Sequence, residues 1–292
     1  MTSTHETQER KVVEILKARP SSDGDGVKLL RVFGGQQPQR FDPFLLMDEF
    51  GSEEASDYIG GFPPHPHRGF ETITYMLNGK MEHRDHMENV GLLNDGDVQW
   101  MTAGRGVIHS EMPRQTEGKM RGFQVWLNLP AASKMMPAEY RDINAAEFPL
   151  HTREFGAVKA LAGKALINGE TLSGHVERPD TQPLYWDIHL QPGKAVSLEV
   201  ADGFTSLSYV YEGAVQVDAD GGNTLVQRQH LARFSDTGIW HFSNPGDSET
   251  RFLVLAGKPL REPIAQYGPF VMNTPEQIDQ AIRDYQAGVF TG

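Results

Sequence analysis

Branched apolar residues recur along the chain in short runs, separated by clusters of glycine, asparagine, aspartate and proline. Residues 11–18 and 27–33 are two such runs, divided by the turn-like Ser21-Ser22-Asp23-Gly24-Asp25-Gly26. Both read as strands. A buried strand is expected over 41–50, with Asp48 and Glu49 as solvated or capping flanks. An extended chain over 65–77 ends at the hairpin signal Asn78-Gly79. Residues 121–129 alternate, with Phe123, Val125, Leu127 and Leu129 on one face. Residues 130–150 break this rhythm with Pro130, Pro137 and Pro149. Strand-like segments resume at 184–190, 195–200, 206–217, 231–234 and 251–256, with turns at Asp218–Asn223 and Asn244–Asp247. Short strands at regular turns predict an all-β sandwich or barrel. One helix is expected at about 275–287. Thr274-Pro275-Glu276-Gln277 combines an N-cap, an N1 proline and a capping-box glutamine, Ile278, Ile282 and Tyr285 form its stripe, and Gly288 ends it.

A length of 292 residues suggests two domains, here 1–135 and 151–292 with 136–150 as connector. Composition narrows the function classes. With 27 basic and 39 acidic residues the net charge is −12, which opposes direct contact with nucleic acid or anionic membranes. There is no cysteine, so disulfides, thiolate catalysis and cysteine metal sites are excluded. The polar residues 1–10 do not read as a secretory signal, and no run nears the roughly 18 apolar residues of a membrane span. The expected location is the cytoplasm, and the expected state a monomer.

The candidate chemistry lies between residues 61 and 111. His65 and His67, then His109 and Glu111, stand at i, i+2 spacing in glycine-punctuated segments. On a strand such pairs share a face. Two facing strands would bring three imidazoles and one carboxylate to one point, a set suited to a first-row transition metal rather than calcium or magnesium. Extension from His67 would put Glu71 on the same face, as a fifth ligand, a hydrogen-bond acceptor behind a histidine, or a salt-bridged carboxylate. Arg68 could contribute on the other face, or be a plain surface arginine. His83 and His86, three apart, break the strand pattern and read as rim residues.

The halves resemble each other. Tyr75-Met76-Leu77-Asn78-Gly79 parallels Tyr209-Val210-Tyr211-Glu212-Gly213, and Gly106-Val107-Ile108-His109 parallels Gly238-Ile239-Trp240-His241. In this register His65 matches Glu199, His67 Ala201, Glu71 Thr205 and Glu111 Ser243. The second half would then keep one ligand of four and hold no equivalent site, with His241 a core histidine.

Three stretches resemble the pirin family of the cupin superfamily: His65-Pro66-His67-Arg68-Gly69-Phe70-Glu71-Thr72, Gly96 through Gly106, and Tyr267 through Thr274. The resemblance covers nearly the whole chain. It implies a bicupin: two antiparallel β-barrels (double-stranded β-helices), with metal in the first only. It places iron ligands on His65, His67, His109 and Glu111, and leaves Glu71 behind them. Fe(II) is implied first, and the donor set also accepts Mn, Co, Ni, Cu or Zn. Pirins resemble quercetinases, which open the heterocycle of a flavonol with O2 and release CO. Glu111 would then be the catalytic base for the flavonol 3-hydroxyl, with Phe62 and Met101 as apolar walls. The alternative is an iron redox-sensing regulator that binds a transcription factor or metabolic enzyme. A structural metal that only staples the barrel is the third reading.

Overall fold

The computed structural model describes residues 8–35, 37–219 and 222–292. Residues 1–7 of the expected polar terminus, and part of the turn expected at Asp218–Asn223, lie outside the described residues. Strands make up most of the regular structure, and among the described residues there is one α-helix. It divides into two compact units. The first comprises Arg19–Glu147 and Leu260–Gly292, and the second Met1–Ala18 and Phe148–Pro259.

Both chain ends therefore depart from the expected division at 136–150. Strand Val12–Lys17 pairs with His230–Phe234 and belongs to the second unit, while Leu260–Gly292 completes the first. Nor is 136–150 only a connector. Glu139–Ile143 is a strand that pairs with Val98–Thr102 and forms the edge of a first-unit sheet. Tyr140 and Asp142, half-buried at the edge, lie against Gly91, which spacing by proline does not reveal.

The first unit contains a seven-stranded antiparallel sheet in the order Glu139–Ile143, Val98–Thr102, Phe70–Asn78, Met120–Asn128, Phe44–Ser52, Val27–Phe33, Arg19–Asp23. A four-stranded sheet runs Phe62–His67, Val107–Pro113, Met81–Asp85, Val90–Leu93. The second unit repeats the scheme with sheets of seven and six strands. The expected closed barrels are thus pairs of open sheets: each ladder ends in two edge strands, and among the described residues no ladder joins one sheet to the other. The chain passes between sheets by bending. Gly69, at φ 90°, turns it from Phe62–His67 into Phe70–Asn78, and a Cβ there would meet the Val271 carbonyl oxygen at 2.0 Å.

The second unit's core lies between its two sheets. Trp186, Ile188 and Val254 from one sheet pack with Val196, Leu198, Val217, Trp240 and Phe242 from the other. The helix spans Pro275–Gln286, and Thr274 and Gln277 close the expected capping box. It buries Ile278 and Ala281 against Phe270, Met272 and Phe290, whereas Tyr285 stays largely exposed. Among the described residues no helix is long and apolar enough to cross a membrane.

Candidate metal centre

Strands Phe62–His67 and Val107–Pro113 run antiparallel, so His65 lies opposite His109 and His67 opposite Val107. A bulge between His109 and Glu111 sets Glu111 opposite Phe62. Pro63, Pro64 and Pro66 donate nothing to a ladder, and the strand that carries them is an edge strand, where such residues are tolerated. His65, His67 and His109 offer ligand atoms that all lie within 4.8 Å of one another. Their ring centroids are 4.4 to 5.0 Å apart.

The donor chemistry fits a metal. His65 Nδ1 lies 2.8 Å from the Pro63 carbonyl oxygen, to which it donates, leaving the Nε2 lone pair free to coordinate. His67 Nδ1 and His109 Nε2 are buried ring nitrogens without a hydrogen-bonding partner, an arrangement that a bound cation would relieve. Burial, reinforced by the neighbouring imidazoles, pushes the pKa of both His67 and His109 well below the ordinary histidine value. The rings are held neutral, as ligands must be.

Glu111 is buried beside this group, and its Oε1 lies 3.0 Å from the Thr74 hydroxyl. That hydroxyl is also 2.5 Å from Gln124 Oε1, so its single proton serves two acceptors. Burial raises the Glu111 pKa, against the opposing pull of His65 and Thr74. The three-histidine group does not itself include Glu111.

Other expected positions differ. Glu71 is turned away by the bend at Gly69: Thr74 and Phe70 on its strand face the site, so Glu71, of opposite parity, does not. Its Oε1 instead accepts a 2.6 Å bond from Thr102. Arg68 is buried, not at the surface. It donates to the Arg105 carbonyl, to Asp284 and to the Phe290 carbonyl, with its guanidinium 4.3 Å from the Phe290 ring centroid. Asp48 and Glu49 are buried ion-pair partners rather than solvated flanks. Arg31 grips Asp48 with two bonds, and Arg121 pairs with Glu49.

His83 is fully buried, where a rim position was expected, and His86 is exposed as expected. His83 Nδ1 is 3.3 Å from His109 Nδ1, and its ring stacks on Tyr140 at 4.4 Å. The signal for it was the alternation Met81, His83, Asp85 after the Asn78-Gly79 turn, which the i+3 spacing to His86 obscured.

His65, His67 and Glu111 open onto a cavity of about 770 Å³. Leu29, Leu46, Phe50, Phe62, Met81 and Trp126 supply apolar wall, while Arg31, Asp48 and Gln124 add polar groups. Phe62 is thus a wall residue as expected. Met101 is not, being buried with Ala103 and Val107.

The ladders also correct the internal alignment. Gly79 and Gly213 follow equivalent strands, so Met81 and His83 match Val215 and Val217. Glu111 pairs with His83, and Phe242 with Val217. Glu111 therefore corresponds to Phe242, and His109 to Trp240. Trp240 pairs with Leu198, which takes the place of His65. The match of His109 to His241 is off by one residue, and a one-residue slip exchanges the two faces of a strand. His241 is accordingly half-buried on the outer face, bonded to Ser197 at 2.8 Å, and is not a core histidine. Of the four expected ligand positions, the three fixed by these ladders are apolar in the second unit.

Residues 26–127 match the family described as Pirin, and residues 185–291 match the Pirin C-terminal cupin domain. A Pseudomonas aeruginosa protein named "Putative quercetin 2,3-dioxygenase" is 51% identical over 97% of this chain and 99% of its own length. Human pirin is 38% identical over 95% of this chain and 92% of its own. The crystal structure of a quercetin 2,3-dioxygenase from Acinetobacter baumannii superposes with a TM-score of 0.86 at 34% identity, covering 97% of this chain and 98% of that one.

Proposed function

The chain belongs to the pirin family, and on that premise we propose that it is a metal-dependent dioxygenase that opens the heterocycle of a flavonol such as quercetin with O2 and releases CO. The observation that carries this reading is a cluster of three histidines, two of which share the wall of one cavity with a buried carboxylate. Its volume, about 770 Å³, suits a ligand of flavonol size. The relatives named as quercetin 2,3-dioxygenases support the same class of substrate.

His65, His67 and His109 would hold the metal, with Glu111 as fourth ligand. Fe(II) is proposed first, with Mn, Co, Ni, Cu and Zn compatible with the same donors. When bound, the metal supplies Lewis acidity and a route for electrons between the flavonol and O2. Phe50, Phe62 and Trp126 present flat surfaces to a planar polyphenol. Glu111 accepts the proton of the 3-hydroxyl, and burial makes its carboxylate a better base than one in water. Thr74 steadies Glu111 Oε1.

The test is CO release from iron-loaded protein given quercetin and O2. Release is expected, and is expected to vanish in His65→Ala/His67→Ala. No release from protein shown to contain iron would remove the dioxygenase reading while leaving the metal centre standing.

A further inference from the structure

Behind His109 lies a second buried pair that the proposed chemistry does not use. His109 Nδ1 and His83 Nδ1 are 3.3 Å apart, so one must carry a proton and the other a lone pair. If His109 donates, its Nε2 is a lone pair available to a metal, and His83 carries its proton on Nε2. If His83 donates, His109 carries its proton on Nε2 and cannot coordinate, and the His83 Nε2 lone pair points elsewhere.

What it points at decides between them. His83 Nε2 faces Asp85 Oδ2 at 3.6 Å, with both side chains wholly excluded from solvent. A carboxylate attracts an N–H there and repels a lone pair. Asp85 cannot swing aside readily. The Met87 and Asn89 backbone N–H groups donate to its Oδ1 at 2.9 and 3.1 Å, and the Asn89 side chain donates to its Oδ2 at 2.8 Å. The stack on Tyr140 fixes the plane of the His83 ring.

We propose that Asp85 and His83 form a relay that sets the tautomer of His109, holding its proton on Nδ1 and so presenting Nε2 to the metal. His83 is a positioning residue that acts through His109. The proposal rests on the reading of the three histidines as a metal centre, but the tautomer itself can be read without metal.

Long-range proton–nitrogen NMR of metal-free, 15N-histidine-labelled protein should find His109 protonated at Nδ1 and His83 at Nε2. Asp85→Asn can place an amide N–H toward His83 Nε2 and reverse the relay. His83→Phe removes the relay but keeps a ring beside Tyr140. Both should weaken Co(II) binding, measured by chelator competition, by about 10- to 100-fold. His83→Gln, whose carbonyl can still accept from His109 Nδ1–H, should recover most of that loss. His109 protonated at Nε2 in the unmodified protein would overturn the relay. So would folded Asp85→Asn and His83→Phe variants that bind Co(II) as tightly as the unmodified protein. Should Asp85→Asn not fold, the NMR of the unmodified protein and the His83 pair decide the matter. Failure of the unmodified protein to bind Co(II) at all would strike the metal centre itself, a different result from equal binding by the variants.

Discussion

Where the first unit places His65, His109, Glu111 and His83, the second places Leu198, Trp240, Phe242 and Val217. The contrast continues on the larger sheets. Thr74, Gln124 and Asp48 form a row of ladder partners in the first unit, matched by Ser208, Val254 and Trp186 in the second. One interior therefore holds a cavity with polar groups set into an apolar wall, and the other is filled by tryptophan, phenylalanine and valine. The same strand pattern thus serves two purposes. Packing stabilises the second unit, while the first gives up packing for buried polar groups beside a cavity.

The contrast can be broken first at Glu111. Glu111→Gln should lower CO release by about 10²- to 10⁴-fold, the usual scale for losing a general base, and far more than it lowers metal binding. Phe242→Leu, at the corresponding position, should leave release unchanged. Equal turnover by Glu111→Gln and unmodified protein would dismiss the base.

Stability offers a second break. Trp240→Ala should cost about 3–5 kcal/mol, because a large buried ring leaves a cavity. His109→Leu should cost the metal-free protein less than that, since it removes the unpaired Nε2 but leaves His83 Nδ1 without its partner, while metal binding is lost. Urea unfolding of the two variants measures both changes. A large loss of metal-free stability in His109→Leu would show that this polar interior is better satisfied than its geometry indicates.

The smallest expected effect is a difference in pH response. Burial lowers the pKa of His67, His109 and His83, the last to about 4. The unfolded chain, with histidines near 6.5, therefore binds more protons than the folded one below that pH. Stability contributed by these rings is full above pH about 6.5 and falls as pH drops. The slope is up to about 1.4 kcal/mol per unit per ring, or roughly 3 kcal/mol for His83 by pH 4. Hydrogen exchange on metal-free protein should show protection of Val107–Pro113 falling more steeply with acid than that of Ile239–Ser243. Matching slopes would show that the histidines are not desolvated as the geometry implies.

Much of this was legible in the sequence because strand periodicity is local. The i, i+2 pairs His65/His67 and His109/Glu111 needed only extended backbone, and the helix only its capping box. What escaped depended on bends and on partners distant in the chain. Glu71 was assigned to the histidine face because nothing local marks Gly69 as the residue where the chain changes sheet. Asp48 and Glu49 looked solvated because Arg31 and Arg121 reach them from other strands. His241 was matched to His109 by its glycine spacing, and only the hairpin register at Gly213 showed it to lie on the other face. The exchange of chain ends between the units has no local signature at all.

That exchange bears on how the protein is made. Arg68, the neighbour of His67, is held by Asp284 and by the carbonyl of Phe290, and Gly69 sits against Val271. These partners are translated only after the whole of Phe148–Pro259. At roughly 5–20 residues per second, the first unit waits on the order of ten seconds on the ribosome before the segment that locks its histidine strand exists. Completion of the histidine site is therefore a late event in biosynthesis, long after His65, His67 and His109 themselves are made.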